Sequence, residues 1–241
     1  MKIAVVGDVH ANLEALTAVL ADIDTQKPDA VYCVGDIAGY GADPAACISL
    51  IRERSIPTVI GNWDQTVAGT VDNIDGYNTR AQCSAYWTRG ALSPEEKRFL
   101  AGLPDTVIEN GVQVVHARPG EGNPMKYIMS VEEAHEAAAA AQAPVVFHGH
   151  THIAGVFFDE EPLSYSKDDE FTVPAGVTAV INVGAPGQPR DGDTRAIWCL
   201  YDTETRKGQF RRCEYDKETA SRKIIDSGQP PLLGERLLLG K

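Results

Sequence analysis

Apolar residues fall into two rhythms along the first sixty positions. Ile3-Ala4-Val5-Val6 is an unbroken apolar run stopped by Gly7, the pattern of a short strand buried on both faces. Leu13, Leu16, Leu20 and Ile23 then recur at helical spacing, which predicts an amphipathic helix. Val31-Tyr32-Cys33-Val34 repeats the strand pattern. Asp43-Pro44 opens a second helix, with Asp as N-cap and Pro at the first helical position, and Ile48 and Ile51 mark its apolar face. Thr58-Val59-Ile60 reads as a third strand, again stopped by a glycine. Strand–helix–strand repetition predicts right-handed crossovers and a parallel core.

The middle is less regular. Residues 70–78 read as loop and residues 79–89 as a helix ending at Gly90. Ser93-Pro94-Glu95-Glu96 is a capping-box start for another helix. Asn110-Gly111 between Thr106-Val107-Ile108 and Val112 to Val115 predicts a tight hairpin. Ser130 and Glu133 cap an alanine-rich helix running through Ala141. Strands dominate afterwards: Val145 to Phe147, Gly155 to Phe158, Ala179 to Val183, Ala196 to Tyr201 and Gln209 to Glu214. The acidic stretch 160–170 reads as a solvated surface turn, and a last helix starts near Asp216. No internal repeat or Gly/Ser-rich linker interrupts the chain. The expectation is one α/β domain over residues 1–241, with mixed sheets and helices packed outside.

Composition narrows the function classes. Of 241 residues, 43% are hydrophobic and 23% charged, ordinary for a globular protein with a sizeable core. The formal net charge of -12 repels a phosphate backbone, so no extended nucleic-acid surface is expected. A local positive site could still take a small phosphorylated molecule. The five cysteines (Cys33, Cys47, Cys83, Cys199 and Cys213) are scattered, with no Cys-x-x-Cys pair. That argues against a disulfide framework and a thiolate zinc site. The chain opens on a strand pattern rather than a charged-then-apolar leader, and no apolar stretch approaches the ~20 residues that span a bilayer. A reducing cytoplasm, with no membrane partner, is the expectation.

Chemistry concentrates where strand runs end. Five of the six histidines (His10, His116, His148, His150 and His152) follow apolar runs, and strand ends are where α/β sheets form ligand sites. Asp8, Asp36, Asn62 and Asp64 occupy the same kind of position. Asp8-Val9-His10 sets two ligand types two residues apart, which in extended chain puts both on one face, and His150-Thr151-His152 repeats the spacing. With Asp36, Asn62 and His116 these make seven potential ligands, too many for one ion and suited to two adjacent ions sharing a carboxylate. Seven crowded polar groups would be costly with nothing to bind.

Gly7-Asp8-Val9-His10, Gly35-Asp36, Gly61-Asn62-Trp63-Asp64, His116 and Gly149-His150-Thr151-His152 occur in an order that resembles the calcineurin-like metallophosphoesterase superfamily. The chain looks most like its small bacterial and archaeal members, described as phosphodiesterases or diadenosine-tetraphosphatase-like proteins. Those members also carry segments similar to Gly35 through Gly41 and Gly187 through Asp193, so the resemblance spans nearly the whole chain. It implies two mixed β-sheets packed as a sandwich with flanking helices. It assigns Asp8, His10 and His152 to one metal and Asn62, His116 and His150 to the other, with Asp36 bridging. It implies hydrolysis of phosphodiester or phosphoanhydride bonds of a small molecule, such as a nucleotide, by a dinuclear-metal-activated hydroxide. Asp, Asn and His ligands suit divalent Mn, Fe, Co or Zn rather than Ca.

One position departs from the pattern. Many family members carry a histidine after the motif asparagine, where it assists the leaving group. Here it is Trp63, whose indole has no useful pKa for proton donation. The alternative function is therefore a catalytically weak or inactive metal-bound interaction or scaffold protein of the same fold. Arg190 and Arg118 are candidate phosphate contacts, because guanidinium matches phosphate geometry. His148 reads as a buried supporting histidine, His135 as a surface residue, and Trp63 as a wall of the site.

Overall fold

A computed structural model describes residues 1–71, 74–120 and 125–241. The elements run β1 (Lys2–Val6), α1 (Leu13–Gln26), β2 (Ala30–Cys33), α2 (Pro44–Glu53), α3 (Asn62–Ala68), α4 (Thr79–Ala91), α5 (Pro94–Ala101), β3 (Thr106–Glu109), β4 (Val112–Val115) and α6 (Val131–Ala139). There follow β5 (Val145–His148), β6 (Gly155–Asp159), β7 (Ser164–Ser166), β8 (Glu170–Thr172), β9 (Thr178–Asn182), β10 (Ala196–Asp202), β11 (Lys207–Cys213), α7 (Lys217–Asp226) and α8 (Pro231–Glu235). Among the described residues, one sheet has the order β2-β1-β10-β11-β8 and the other β3-β4-β5-β9-β6-β7. Both are mixed: β1 pairs parallel with β2 but antiparallel with β10, and β9 pairs parallel with β5 but antiparallel with β6.

The alternation of side chains along each strand builds the layers. Ile3 and Val5 of β1, Ile197, Cys199 and Tyr201 of β10, and Phe147 and Ile181 of the second sheet form the core between the sheets. Ala4 and Val6 point the other way, into a cluster with Leu16, Val19, Leu20 and Ile23 of α1. Val180 and Phe157 pack against Ala134 and Ala137 of α6 on the outside of the second sheet. Burial on both faces explains why these strands read as unbroken apolar runs. No described helix is long and apolar enough to cross a membrane.

Several expectations need correction. Thr58-Val59-Ile60 makes only an isolated parallel bridge, Cys33 to Thr58. The amide of Val59 donates to Cys33 at 3.1 Å, but that of Ile60 turns away to Pro104 at 2.8 Å. The chain then enters α3, a helix too short to show periodicity; Asp64 starts it by accepting from the Gly61 amide at 3.1 Å. The 160–170 stretch contains β7 and part of β8 rather than one turn, because Tyr165 packs on Phe157 and Phe171 on Phe210. Helix α4 passes through Gly90 to Ala91. Within the expected 70–78 loop, Ile74–Gly76 forms a 3-10 turn, and residues 72–73 lie outside the described residues. Beyond α7, α8 and a 3-10 turn at Arg236–Leu238 bury Leu233 and Leu237 in the α1 side of the core. Both capping boxes, at Ser93–Glu96 and Ser130–Glu133, form.

Candidate functional site

The chain continues past its strands in paired fashion, which brings the motif residues together. The amide of Asp8 donates to Gly35 at 2.9 Å, that of His10 to Asp36 at 2.9 Å, and that of Gly149 to His116 at 3.0 Å. The segments after β1, β2, β4 and β5 are thereby held side by side, and α3 supplies Asn62 from its first turn. The extended geometry expected for Asp8-Val9-His10 and His150-Thr151-His152 does not occur. Asp8, His10, Asp36, His150 and His152 have φ of 50°, 46°, 51°, 69° and 64°. Left-handed backbone at a non-glycine residue costs on the order of 1–3 kcal/mol, and such outliers cluster at functional sites.

Three imidazoles are locked in one tautomer. Nδ1 of His10 lies 3.2 Å from the Ala38 carbonyl, that of His116 2.8 Å from Val34, and that of His152 2.7 Å from Gln188. A carbonyl only accepts, so each Nδ1 carries the hydrogen and each Nε2 presents a lone pair. The Nε2 atoms of His10 and His152 face each other at 3.0 Å. Asp8 Oδ1 lies 3.5 Å from His152 Nε2 and 3.9 Å from His10 Nε2. On the other side, His116 Nε2 lies 3.1 Å from Asn62 Oδ1 and 3.2 Å from His150 Nδ1. Asp36 Oδ2 sits between the groups, 3.6 Å from His10 Nε2 and 3.4 Å from His116 Nε2. All seven expected ligand residues therefore meet in one place.

These donor atoms converge with too few hydrogens to pair them. Burial, then Asp36, raises the Asp8 carboxyl well above its ordinary range, and burial pushes Asp36 to about 7. Burial lowers His116 to about 4 and His150 to about 3, and holds His10 and His152 well below the usual imidazole value. A proton between the His10 and His152 lone pairs is therefore disfavoured, and the chemistry of the donor set fits a cation. Asp8, His10 and His152 present atoms close enough to share one ion, as do Asp8, Asp36 and His116.

Surrounding groups aim these side chains. Both Asp8 oxygens accept from the His150 amide, at 3.2 and 2.9 Å, and Asp36 Oδ1 accepts from the Trp63 amide at 2.8 Å. A Cβ at Gly149 would come within 2.1 Å of Asp8 Oδ2. Asp64 is engaged by the Ala38 and Gly61 amides. Trp63 is buried, packed 4.1 Å from the Tyr40 ring and 5.2 Å from the Tyr77 ring, and its ring stands edge-on to His10. His148 is buried beside Asn182, and exposed His135 pairs with Asp159 at 2.6 Å. Arg118 lines a ≈ 530 Å³ cavity with His116 and pairs with Glu136 at 2.6 Å. Arg190 lies over the Tyr40 ring, 6.0 Å from its centroid.

Two residues escaped the sequence reading. Tyr77 accepts from the Asn62 amide nitrogen at 3.0 Å, which turns the Asn62 carbonyl toward His116. Tyr127 stacks on the His150 ring at 4.0 Å. Each lies in an irregular segment that carries no motif or period to mark it.

Comparison with known proteins agrees with this geometry. The profile of the calcineurin-like phosphoesterase superfamily domain matches residues 1–206. An uncharacterised protein of Methanocaldococcus jannaschii, MJ0912, is 36% identical over 99% of this chain and 98% of its own length. The crystal structure of a metallophosphoesterase from Sphaerobacter thermophilus superposes with a TM-score of 0.87 at 34% identity, covering 100% of this chain and 99% of that one. The hypothetical protein PH1004 of Pyrococcus horikoshii shares the fold, with a TM-score of 0.82 at 19% identity over 100% of this chain and 98% of that one. With the profile matched over most of its length, the chain belongs to the calcineurin-like phosphoesterase superfamily.

Proposed function

We propose that this protein is a metal-dependent hydrolase of phosphodiester or phosphoanhydride bonds in a small phosphorylated molecule. Asp8, His10 and His152 would hold one divalent ion, Asn62, His116 and His150 a second, and Asp36 both. The placement of Asp36 Oδ2, 3.6 Å from His10 Nε2 and 3.4 Å from His116 Nε2, carries the reading. It gives the two ligand groups a carboxylate in common. Such ions, when bound, supply positive charge to phosphoryl oxygens and lower the pKa of water. The donor set favours Mn, Fe, Co or Zn.

The chain's own residues set the remaining chemistry. Trp63 forms a buried wall that keeps bulk water from the His10 side and offers no proton to a leaving oxygen. Phosphodiesters and anhydrides with stabilised leaving groups are therefore the better substrates. Arg190 stands beside the centre as a phosphate contact; Arg118 would have to leave Glu136 to serve as one. All five cysteines are unpaired, which fits a reducing compartment such as the cytoplasm.

A second reading, a metal-bound interaction module, is favoured by Trp63 standing where many family members have a histidine. Metal analysis followed by turnover of phosphomonoesters, diesters and dinucleoside polyphosphates separates the two. The hydrolase reading expects about two transition ions per chain and preferential turnover of diesters or anhydrides. Full ion loading with no turnover of any phosphoester would move the assignment to the interaction module.

A further inference from the structure

A second cavity meets the loop that carries His150 and His152. Thr151, between those two candidate ligands, lines a cavity of ≈ 340 Å³. Ile128, Met129, Ile153, Phe157 and Tyr165 supply its apolar wall. The Tyr165 ring lies stacked on that of Phe157, with centroids 4.3 Å apart and an angle of 28° between the planes. Gly155 permits this arrangement, since a Cβ there would collide with the Tyr165 ring. A slot of this volume, mostly apolar with a few polar groups, is the usual form of a small-molecule site.

Two features join the cavity to the candidate centre. One is Thr151 itself. The other is Tyr127, whose ring stacks on that of His150 at 4.0 Å and 17°, and whose neighbours Ile128 and Met129 line the cavity. Met129 is 70% exposed, Tyr127 48% and Tyr165 38%, so large apolar side chains face solvent at the cavity and beside the centre. Apolar surface left open around a groove marks a binding site. The other aromatic group at the centre is closed: Trp63 is buried, with Tyr40 and Tyr77 packed on it.

Hydrogen bonding gives the cavity a preference. The Asn182 amide is fixed, because Oδ1 accepts from the Gly184 amide at 3.0 Å and Nδ2 donates to the Gly149 carbonyl at 2.7 Å. Nδ2 therefore also donates to Thr151 Oγ1, at 2.9 Å, and the Ile153 amide donates to the same oxygen at 3.2 Å. With both lone pairs engaged, the Thr151 hydroxyl can only donate, and among the described residues nothing accepts its hydrogen. A lone donor in an apolar slot selects a flat ring with an acceptor on its edge.

We infer that this cavity holds the base of a nucleotide whose phosphate lies at the candidate centre, with Tyr165 and Met129 against the ring and Thr151 donating to a ring nitrogen. The inference rests on the phosphoesterase reading above and narrows its substrates to nucleotide esters and anhydrides. The stacked His150 and Tyr127 rings set the cavity back from the ligand atoms, a gap that a sugar between phosphate and base spans. Stacking on aromatic side chains suits any base, because every base has a π-face.

Calorimetric titration of the full chain at saturating manganese tests this. The probes are thiophosphate, ribose 5-phosphorothioate and adenosine 5′-phosphorothioate, sulfur analogues that hydrolyse slowly and differ only in the sugar and the base. The parent is expected to bind the adenosine compound at least about tenfold more tightly than the ribose compound. Tyr165→Ala should weaken adenosine binding about five- to a hundredfold, and Tyr165→Phe should retain it, because the ring face and not the hydroxyl forms the wall. Met129→Ala, at an exposed position that leaves folding intact, should weaken it about two- to tenfold. Affinity for thiophosphate and for the ribose compound should change by less than about twofold in each variant, whereas a purely structural loss would move all three probes together. Equal binding of the adenosine and ribose compounds by the parent overturns the base site. An adenosine preference that survives both alanine variants also overturns it, since the ring then lies elsewhere. A manganese-loaded parent that binds none of the three probes overturns the phosphoesterase reading itself.

Discussion

Gly149→Ala tests how tightly the backbone around the centre fixes its first carboxylate. Gly149 is not among the residues with left-handed φ, so alanine fits its backbone. Its Cβ would lie 2.1 Å from Asp8 Oδ2, 3.1 Å from Asp8 Cγ and 2.9 Å from a Val34 methyl. Ordinary contact requires the carboxylate to retreat by roughly 1 Å, a displacement that can cost about 10²-fold in turnover. The move stretches the two contacts of Asp8 with the His150 amide, 3.2 and 2.9 Å in the parent. Losing a hydrogen bond to a charged group costs about 1.5–3 kcal/mol. At about 2–4 °C per kcal/mol for a chain of this size, melting should fall by roughly 3–12 °C. The ion beside Asp8 should bind about 10–100-fold more weakly, as when groups that orient ligands are disturbed. Gly90→Ala is the control: it lies in α4 with nothing within 4 Å of the added carbon, and should stabilise by about 0.5–1 kcal/mol. Competitive metal titration and thermal melts read both variants. Parent-like ion affinity in Gly149→Ala would refute the argument that this close approach holds Asp8 in place.

Three further outcomes are expected. Trp63→His should flatten the dependence of rate on leaving-group pKa across a series of aryl phosphodiesters, while emptying part of the space between Tyr40 and Tyr77 lowers stability by about 3 kcal/mol; a parent whose rates are already flat would show that another group supplies the proton. Tyr77→Phe removes the group that turns Asn62 toward His116 and should weaken ion binding on that side about tenfold with little change in melting; unchanged affinity would mean that Asn62 is oriented without it. The chelated protein should be most stable near pH 6.5. Its buried histidines have folded pKa values below the unfolded one, at about 4 for His116 and about 3 for His150, so stability is lost as pH falls below about 6.5. Its buried aspartates are raised, with Asp36 at about 7 and Asp64 at about 8, so the stability of their protonated forms is lost as pH climbs through those values. Bound ions should reduce the alkaline limb by holding Asp36 ionised, leaving the share that Asp64 contributes, and melts from pH 4 to 9 with and without manganese would expose a chelated protein that gains stability from pH 7 to 9 instead.

Local chemistry made much of the fold legible. The hairpin at Asn110-Gly111, the capping boxes at Ser93 and Ser130 and the helix from Leu13 form as their sequences require, because turn geometry, capping and helical periodicity act over a few residues. The candidate site residues, which the structure brings together, were legible for a related reason: short motifs with Asp, Asn and His at strand ends mark them one by one. Tertiary structure decided what short range cannot carry. Thr58-Val59-Ile60 has strand composition, yet Ile60 finds its carbonyl partner at Pro104, and no local signal reports a partner so distant. Within and beyond the acidic 160–170 stretch, β7 and β8 became strands because Phe157 and Phe210 offered Tyr165 and Phe171 aromatic contacts. The motif spacing suggested extended chain at Asp8–His10, whereas the structure holds both residues in left-handed backbone, a strain that only the surrounding hydrogen bonds maintain. Tyr77 and Tyr127 reach the site from segments without pattern, since their role depends on where the chain arrives and not on which residues flank them.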